Sequence, residues 1–180
     1  MQSLSKAELL ALLAAARAQR ERDWLMILVA YWHGLRASEV TSLVLDNLHD
    51  GFLTVQRLKG SMKTTQPLVE HPEPLLNEKP ALFEYTRGMH GIQRIFPISR
   101  VQFWRLLRRY GLTAGLPEHK AHPHVLKATI AMHSIGTAGI ENTRQWLGHR
   151  SIEQLVEVLR LDSLITADEQ GQRILLGILR

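Results

Sequence analysis

Apolar residues recur at helical spacing along most of this chain. Leu9, Leu10, Leu12, Leu13 and Ala16 follow Ser5-Lys6-Ala7-Glu8, a capping box in which serine and glutamate each satisfy an orphan backbone N–H and so open a helix. A second apolar run predicts a helix from about Arg22 to His33, ended by Gly34, because glycine adopts the left-handed conformation that closes a helix. A third helix is predicted at once, from about Ser38 to Leu45. The period then shortens. After the turn pair Asp50-Gly51, Phe52, Thr54 and Gln56 alternate with Leu53 and Val55, which predicts a strand ending at Leu58. Lys59 to Lys63 reads as a tight turn, and Thr64 to Leu68 as the returning strand. Ser99 and Gln102 form a second capping box before a helix to about Tyr110. Further helices are expected near His124–Ile135, Ile140–Leu147, Ile152–Leu159 and Ala167–Ile178. The expected fold is mainly α with a small antiparallel β-sheet inserted early.

Composition narrows the class. The 180 residues are 45% hydrophobic and 22% charged, an ordinary globular balance. With no internal repeat and no Ser/Gly linker, one domain over residues 1–180 is expected. The apolar stretch from Leu25 to Tyr31 is far too short to cross a membrane. Residues 1–6 lack the apolar segment of a secretion signal. The absence of cysteine excludes a disulfide framework and a thiolate metal site, so the cytoplasm is the simplest location. A net charge of +5 with a pI near 9.9 favours a polyanionic partner, although a solvated basic surface gives the same balance.

Taken singly, the chemistry-bearing residues have ordinary explanations. Arg36 alone reads as an ion-pair partner and Lys59 as a solvated turn residue. Gly148-His149 reads as a helix end. His122 and His124 lack a convincing third metal ligand. Trp24, Trp32, Trp104 and Trp146 sit in apolar helical patterns and are expected to be core or packing residues. Taken in order, four sites carry more. These are His33-Gly34-Leu35-Arg36-Ala37-Ser38-Glu39-Val40, then Leu58-Lys59-Gly60-Ser61-Met62-Lys63 with Gln66-Pro67-Leu68. His122-Pro123-His124-Val125-Leu126-Lys127 and Leu147-Gly148-His149-Arg150-Ser151-Ile152 follow. Together they resemble the first-arginine motif, the β-hairpin lysine site, the H-x-x-R box and the L-G-H motif of the tyrosine recombinases, the phage integrase family. The resemblance runs from Ser5 to the helix beyond His149 and covers the catalytic domain, with no room for the family's N-terminal core-binding domain.

The resemblance implies a chemistry. Family members attack a DNA phosphodiester with a tyrosine hydroxyl and leave a 3′-phosphotyrosyl link. Charge gathers on the nonbridging oxygens, so positioned cations and N–H donors supply much of the catalysis. Carried over residue by residue, Arg36 holds the scissile phosphate with its planar fork, and Glu39, one turn away, orients it. Lys59 protonates the leaving 5′-oxygen, and His124 and His149 donate hydrogen bonds or handle protons. Lys127 stands where most members carry a second arginine, which keeps the charge and loses the fork. Lys63 and Arg150 add DNA-binding cations. The implied partner is double-stranded DNA, and neither a metal nor another cofactor is required.

One departure is larger. The family's nucleophile follows the L-G-H histidine by nine residues, a count that lands here on Val158, and no tyrosine occurs after Tyr110. Valine has no nucleophilic atom. Ser151 and Ser163 do not match in placement, and Tyr31, Tyr85 and Tyr110 read as structural. Natural degeneration and an introduced change leave the same sequence. The expectation is a DNA-binding family member, linked to site-specific recombination or integration, that does not cleave strands. Two alternatives stand beside it. One is an active recombinase with another nucleophile. The other is an interaction protein that self-associates through a C-terminal helix, Asp168 to Arg180, carrying Ile174, Leu175, Leu176, Ile178 and Leu179.

Overall fold

Both capping boxes form. Ser5 Oγ accepts from the Glu8 backbone N–H at 3.1 Å, while Glu8 Oε2 accepts from Ser5 N at 2.8 Å. They start α1 (Lys6–Gln19), which buries Leu9, Leu12, Leu13 and Ala16. The computed structural model describes residues 3–58 and 60–163. Lys59 and the predicted helices over Ala167–Ile178 and Asp168–Arg180 therefore lie outside the described residues. Helix α2 (Glu21–Trp32) is buried from Asp23 to Tyr31 and forms the centre of the core, packed by α1, α3, α4 and α6. Each of its fully buried large apolar side chains contributes about 1.5–3 kcal/mol. Gly34 ends it with φ of +58°, and a Cβ there would collide with Leu147 Cδ2.

Helix α3 (Ala37–Ser42) stops short of the predicted Leu45. The Leu43 carbonyl instead accepts from Ile95 N at 2.9 Å, Leu45 N donates to Gln93 O at 3.0 Å, and Val44 bridges to Arg94. Long-range pairing thus outcompetes a further helical turn. The strands β1 (Leu48–His49), β2 (Phe52–Val55) and β3 (Thr64–Pro67) form one antiparallel sheet in that order, with Leu53 opposite Gln66 and Val55 opposite Thr64. Strand β2 ends at Val55 instead of Leu58, and β1, two residues long, leaves no readable alternation. Helix α4 (Glu78–Tyr85) is also absent from the prediction. It carries Pro80 in its first turn and buries only Glu78 and Leu82, too little for an apolar stripe to be recognised.

Helix α5 (Arg100–Thr113) extends beyond the predicted Tyr110. It is followed by α6 (Pro123–Ala138), α7 (Ile140–Trp146) and α8 (Ile152–Ser163). The architecture is mainly helical with a small three-stranded antiparallel sheet, as expected. Trp24 is buried and Trp32 and Trp146 are half-buried, with their indole N–H groups donating to backbone carbonyls of Leu75, Leu76 and Trp32. Trp104 lies outside the core: it is 43% exposed and packs against Arg108, because α5 turns Phe103, Leu107 and Tyr110 inward and leaves the adjacent position outward. Tyr110 donates to the buried Asp23 carboxylate at 2.6 Å, Tyr31 pairs with His133 at 2.9 Å, and Tyr85 stacks on Phe96. Among the described residues, no helix is long and apolar enough to cross a membrane.

Candidate functional site

The tight turn at Gly34 delivers Arg36 to the N-cap of α3. Glu39, in the first turn of that helix, buries its carboxylate completely and receives four donors. Arg36 N donates at 2.8 Å, Leu58 N at 3.0 Å, Arg36 Nη1 at 3.1 Å and Arg57 Nη1 at 3.4 Å. Burial alone would raise the Glu39 pKa. The backbone N–H groups of Arg36 and Leu58, with the charges of Arg57 and Lys127, hold it below the ordinary carboxylate value. The Arg36 side chain stays 24% exposed and also donates to the Leu58 carbonyl at 3.2 Å. Glu39 therefore orients Arg36 as the helical spacing predicted, and ties it to the segment after β2 as well.

Lys127, on α6, is only 1% exposed, and its Nζ has no hydrogen-bond partner. Burial, then the charges of Arg36 and Arg57, push its pKa down to about 7 against the pull of Glu39. His149 follows α7, is 2% exposed, and has no partner at either ring nitrogen. Burial, then the charges of Lys127, Arg36, Arg57 and Arg144, lower its pKa to about 4, so it is neutral at pH 7. Among the described residues these three nitrogens are the buried side-chain polar atoms left unpaired. Buried polar atoms are normally satisfied. Here they gather beside two guanidinium groups and one carboxylate, and so present a local surplus of donors and positive charge suited to an anion.

Arg36, His124 and Lys127 line one cavity of about 600 Å³, together with Ser38, Arg100 and Trp104. His124 is exposed at its mouth. Neither His149 nor Val158 is among the residues lining it. Val158 is buried on α8 at 7% exposure. Lys63 and Arg150 are exposed. The loop before β3 is fastened to the turn before His149, because Met62 N donates to Gly148 O at 2.9 Å. Gly148 is required for that approach: its φ is +70°, and a Cβ would sit 2.8 Å from Met62 O. Among the described residues no group of three or more His, Cys, Asp or Glu could hold a metal ion.

Sequence reasoning missed Arg57. Its side chain is fully buried, and it donates to His33 O at 2.7 Å, Thr64 Oγ1 at 2.9 Å, Gly34 O at 3.2 Å and Gln66 Oε1 at 3.3 Å. A signal was available, since residue 57 shares by period two the inward face of Leu53 and Val55. An arginine in that phase marks a buried charge.

Residues 2–158 match the sequence profile of the phage integrase family. The chain belongs to that family. The tyrosine recombinase XerA of Pyrococcus furiosus is 32% identical over 164 residues, covering 83% of this chain and 54% of that protein. The type 1 fimbriae regulatory protein FimE of Escherichia coli K12 is 30% identical over 151 residues, 75% of this chain and 72% of the relative. This integrase-family chain thus spans about half the length of XerA. The crystal structure of a lambda integrase dimer bound to a COC′ core site shares the fold, with a TM-score of 0.72 and 19% identity over 92% of this chain and 50% of that one. The family match extends to Val158 and includes every motif on which the resemblance rested.

Proposed function

We propose that this chain, as one folding unit over residues 1–180, binds double-stranded DNA by gripping a backbone phosphate at Arg36, Lys127 and His149, and that it does so without forming a covalent link to the strand. The observation that carries this reading is the pair of buried, unpartnered groups around Arg36: Lys127, which lines the same cavity, and His149, which feels the charges of both. A phosphodiester oxygen supplies the acceptor that Lys127 Nζ and the single N–H of the neutral His149 ring lack. Arg36 offers its fork to the nonbridging oxygens. Lys127 becomes fully charged as the anion offsets the repulsion of Arg36 and Arg57, and His149 donates from a neutral ring. His124, at the cavity mouth, donates to the same phosphate. The family resemblance assigns Lys59 to the 5′-oxygen and Lys63 and Arg150 to neighbouring phosphates. Val158, at the family's nucleophile position, has no atom to attack phosphorus, so the bound strand stays intact. The lambda integrase dimer solved on its core site supports binding of more than one copy to one DNA, in the recombination or integration setting of the family and in the cytoplasm.

Fluorescence anisotropy with a labelled duplex tests the binding. The logarithm of the affinity should fall linearly with that of the salt concentration, with a slope near −0.9 for each phosphate neutralised. No binding at low salt would overturn the reading. Incubation with a nicked suicide duplex, followed by denaturing electrophoresis, should leave no protein–DNA adduct. An adduct would overturn the claim of a non-covalent grip and point to another nucleophile.

A further inference from the structure

We propose that Arg57 is the positioning residue of the phosphate site: a buried second guanidinium that fixes Glu39, and through it the Arg36 fork, before DNA arrives. The inference rests on the phosphate reading above and assigns a role that the motif resemblance leaves blank. Arg57 uses all of its fork. Nε donates to Thr64 Oγ1, Nη1 to Gly34 O and Glu39 Oε2, and Nη2 to His33 O and Gln66 Oε1. It therefore ties the α2–α3 turn to β3 and to the segment that follows β2. No shorter or single-point cation reaches these acceptors at once.

The anchoring continues away from the site. Gln66 Nε2 donates to Trp146 O at 2.6 Å, which leaves Gln66 Oε1 facing Arg57 and His33 Nδ1, the latter at 3.0 Å. His33 Nε2 meets the buried Glu78 carboxylate at 2.8 Å. Glu78, His33, Gln66, Arg57 and Glu39 thus form one buried chain from α4 to Arg36. A satisfied buried network of this kind holds one geometry. Glu39 cannot swing away from Arg36 without stranding the Arg57 charge, which is costly in a low-dielectric interior.

Arg57 also sets the charge state of the site. Arg36 at the start of α3, Glu39 within α3, Arg57 beyond β2 and Arg144 on α7 act on Lys127 or His149, with His122 and His124 on the cavity wall. Arg57 is a fixed positive charge in that group and discourages protonation of both neighbours. Phosphate binding reverses the balance at Lys127, so duplex binding takes up a proton and weakens as pH rises above about 7.

Arg57→Lys and Arg57→Met separate the two effects. Duplex affinity is measured from pH 6 to 9 for each variant and the wild type, with melting curves to confirm folding. Both variants should bind about tenfold or more weakly at pH 6.5, since charge-assisted hydrogen bonds are lost around Glu39. Only Arg57→Met should shift the onset of pH-dependent weakening upward, because only it removes the charge. A merely structural role would lower affinity in step with melting temperature and leave the onset in place. Folded variants with wild-type affinity and onset would overturn the role of Arg57 while the phosphate reading stands. Should Arg57→Met not fold, wild-type affinity in Arg57→Lys overturns it alone. A wild type that shows no salt-sensitive binding would overturn both.

Discussion

Lys127 sits where its own charge is disfavoured, and this makes its substitution informative. Methionine has a similar volume and no ammonium to desolvate. Lys127→Met should leave the free protein as stable as the wild type or more so, by up to about 1–4 kcal/mol, while duplex binding falls about tenfold or more. Chemical denaturation and anisotropy on the same samples would check both, and parallel losses would contradict the assignment. The pH dependence has a definite sign. Lys127 titrates near 7 in the folded protein, against an ordinary lysine value of 10.5. Between those values the unfolded chain binds more protons, so folded stability rises with pH across that window, and Lys127→Met flattens the rise. His149 acts in the same sense lower down, from 6.5 to about 4: stability falls as pH drops through that range. Denaturation midpoints measured from pH 4 to 10 in the absence of DNA would test both. The residue types at these positions were legible in the sequence. Their isolation from partners was not, because hydrogen-bond satisfaction depends on neighbours from other elements.

Elements whose ends are marked by local chemistry were the legible ones. Helices α1 and α5 carry Ser–Glu and Ser–Gln capping boxes, and the hairpin follows a turn pair. Helix α4 and strand β1 have no such mark and owe their form to packing. The turn before His149 shows how a single backbone conformation can hold two elements together. Gly148→Ala should cost about 2–4 kcal/mol, combining left-handed strain with collision against the backbone. Its close contact with Met62 O implies that the loop before β3 is displaced and duplex binding weakened too. Gly60 provides the comparison: its φ is +76°, yet nothing lies within 4 Å of a Cβ there. Gly60→Ala should therefore cost only the strain, about 1–2 kcal/mol. Urea denaturation would measure both, and equal losses would argue against the close approach at Gly148.

At the scale of the molecule, the site is a meeting of the α2–α3 turn, the hairpin, α6 and the turn after α7, all resting on the buried α2. A ligand that bridges these elements binds the folded state alone, so it stabilises the whole. Duplex DNA should raise the melting temperature progressively with its concentration, and the gain should vanish as salt is added. A salt-insensitive gain would mean that something other than backbone charge is being recognised. The Lys127→Met variant separates binding at the site from nonspecific attraction by the net charge of +5, since the latter would lose little from one buried residue.

The sequence by itself determined the order of the chemistry-bearing residues, the mainly helical class with one early hairpin, the family resemblance, and the lack of any tyrosine after Tyr110. These follow from local spacing, caps and residue identity, which need no knowledge of distant neighbours. Tertiary structure alone decided that Arg57 is buried at the heart of the site, that Lys127 and His149 lose their water and find no partner, and that Trp104 faces outward. Burial and electrostatic shifts arise from groups far apart in the chain, so only packing brings them within range of one another.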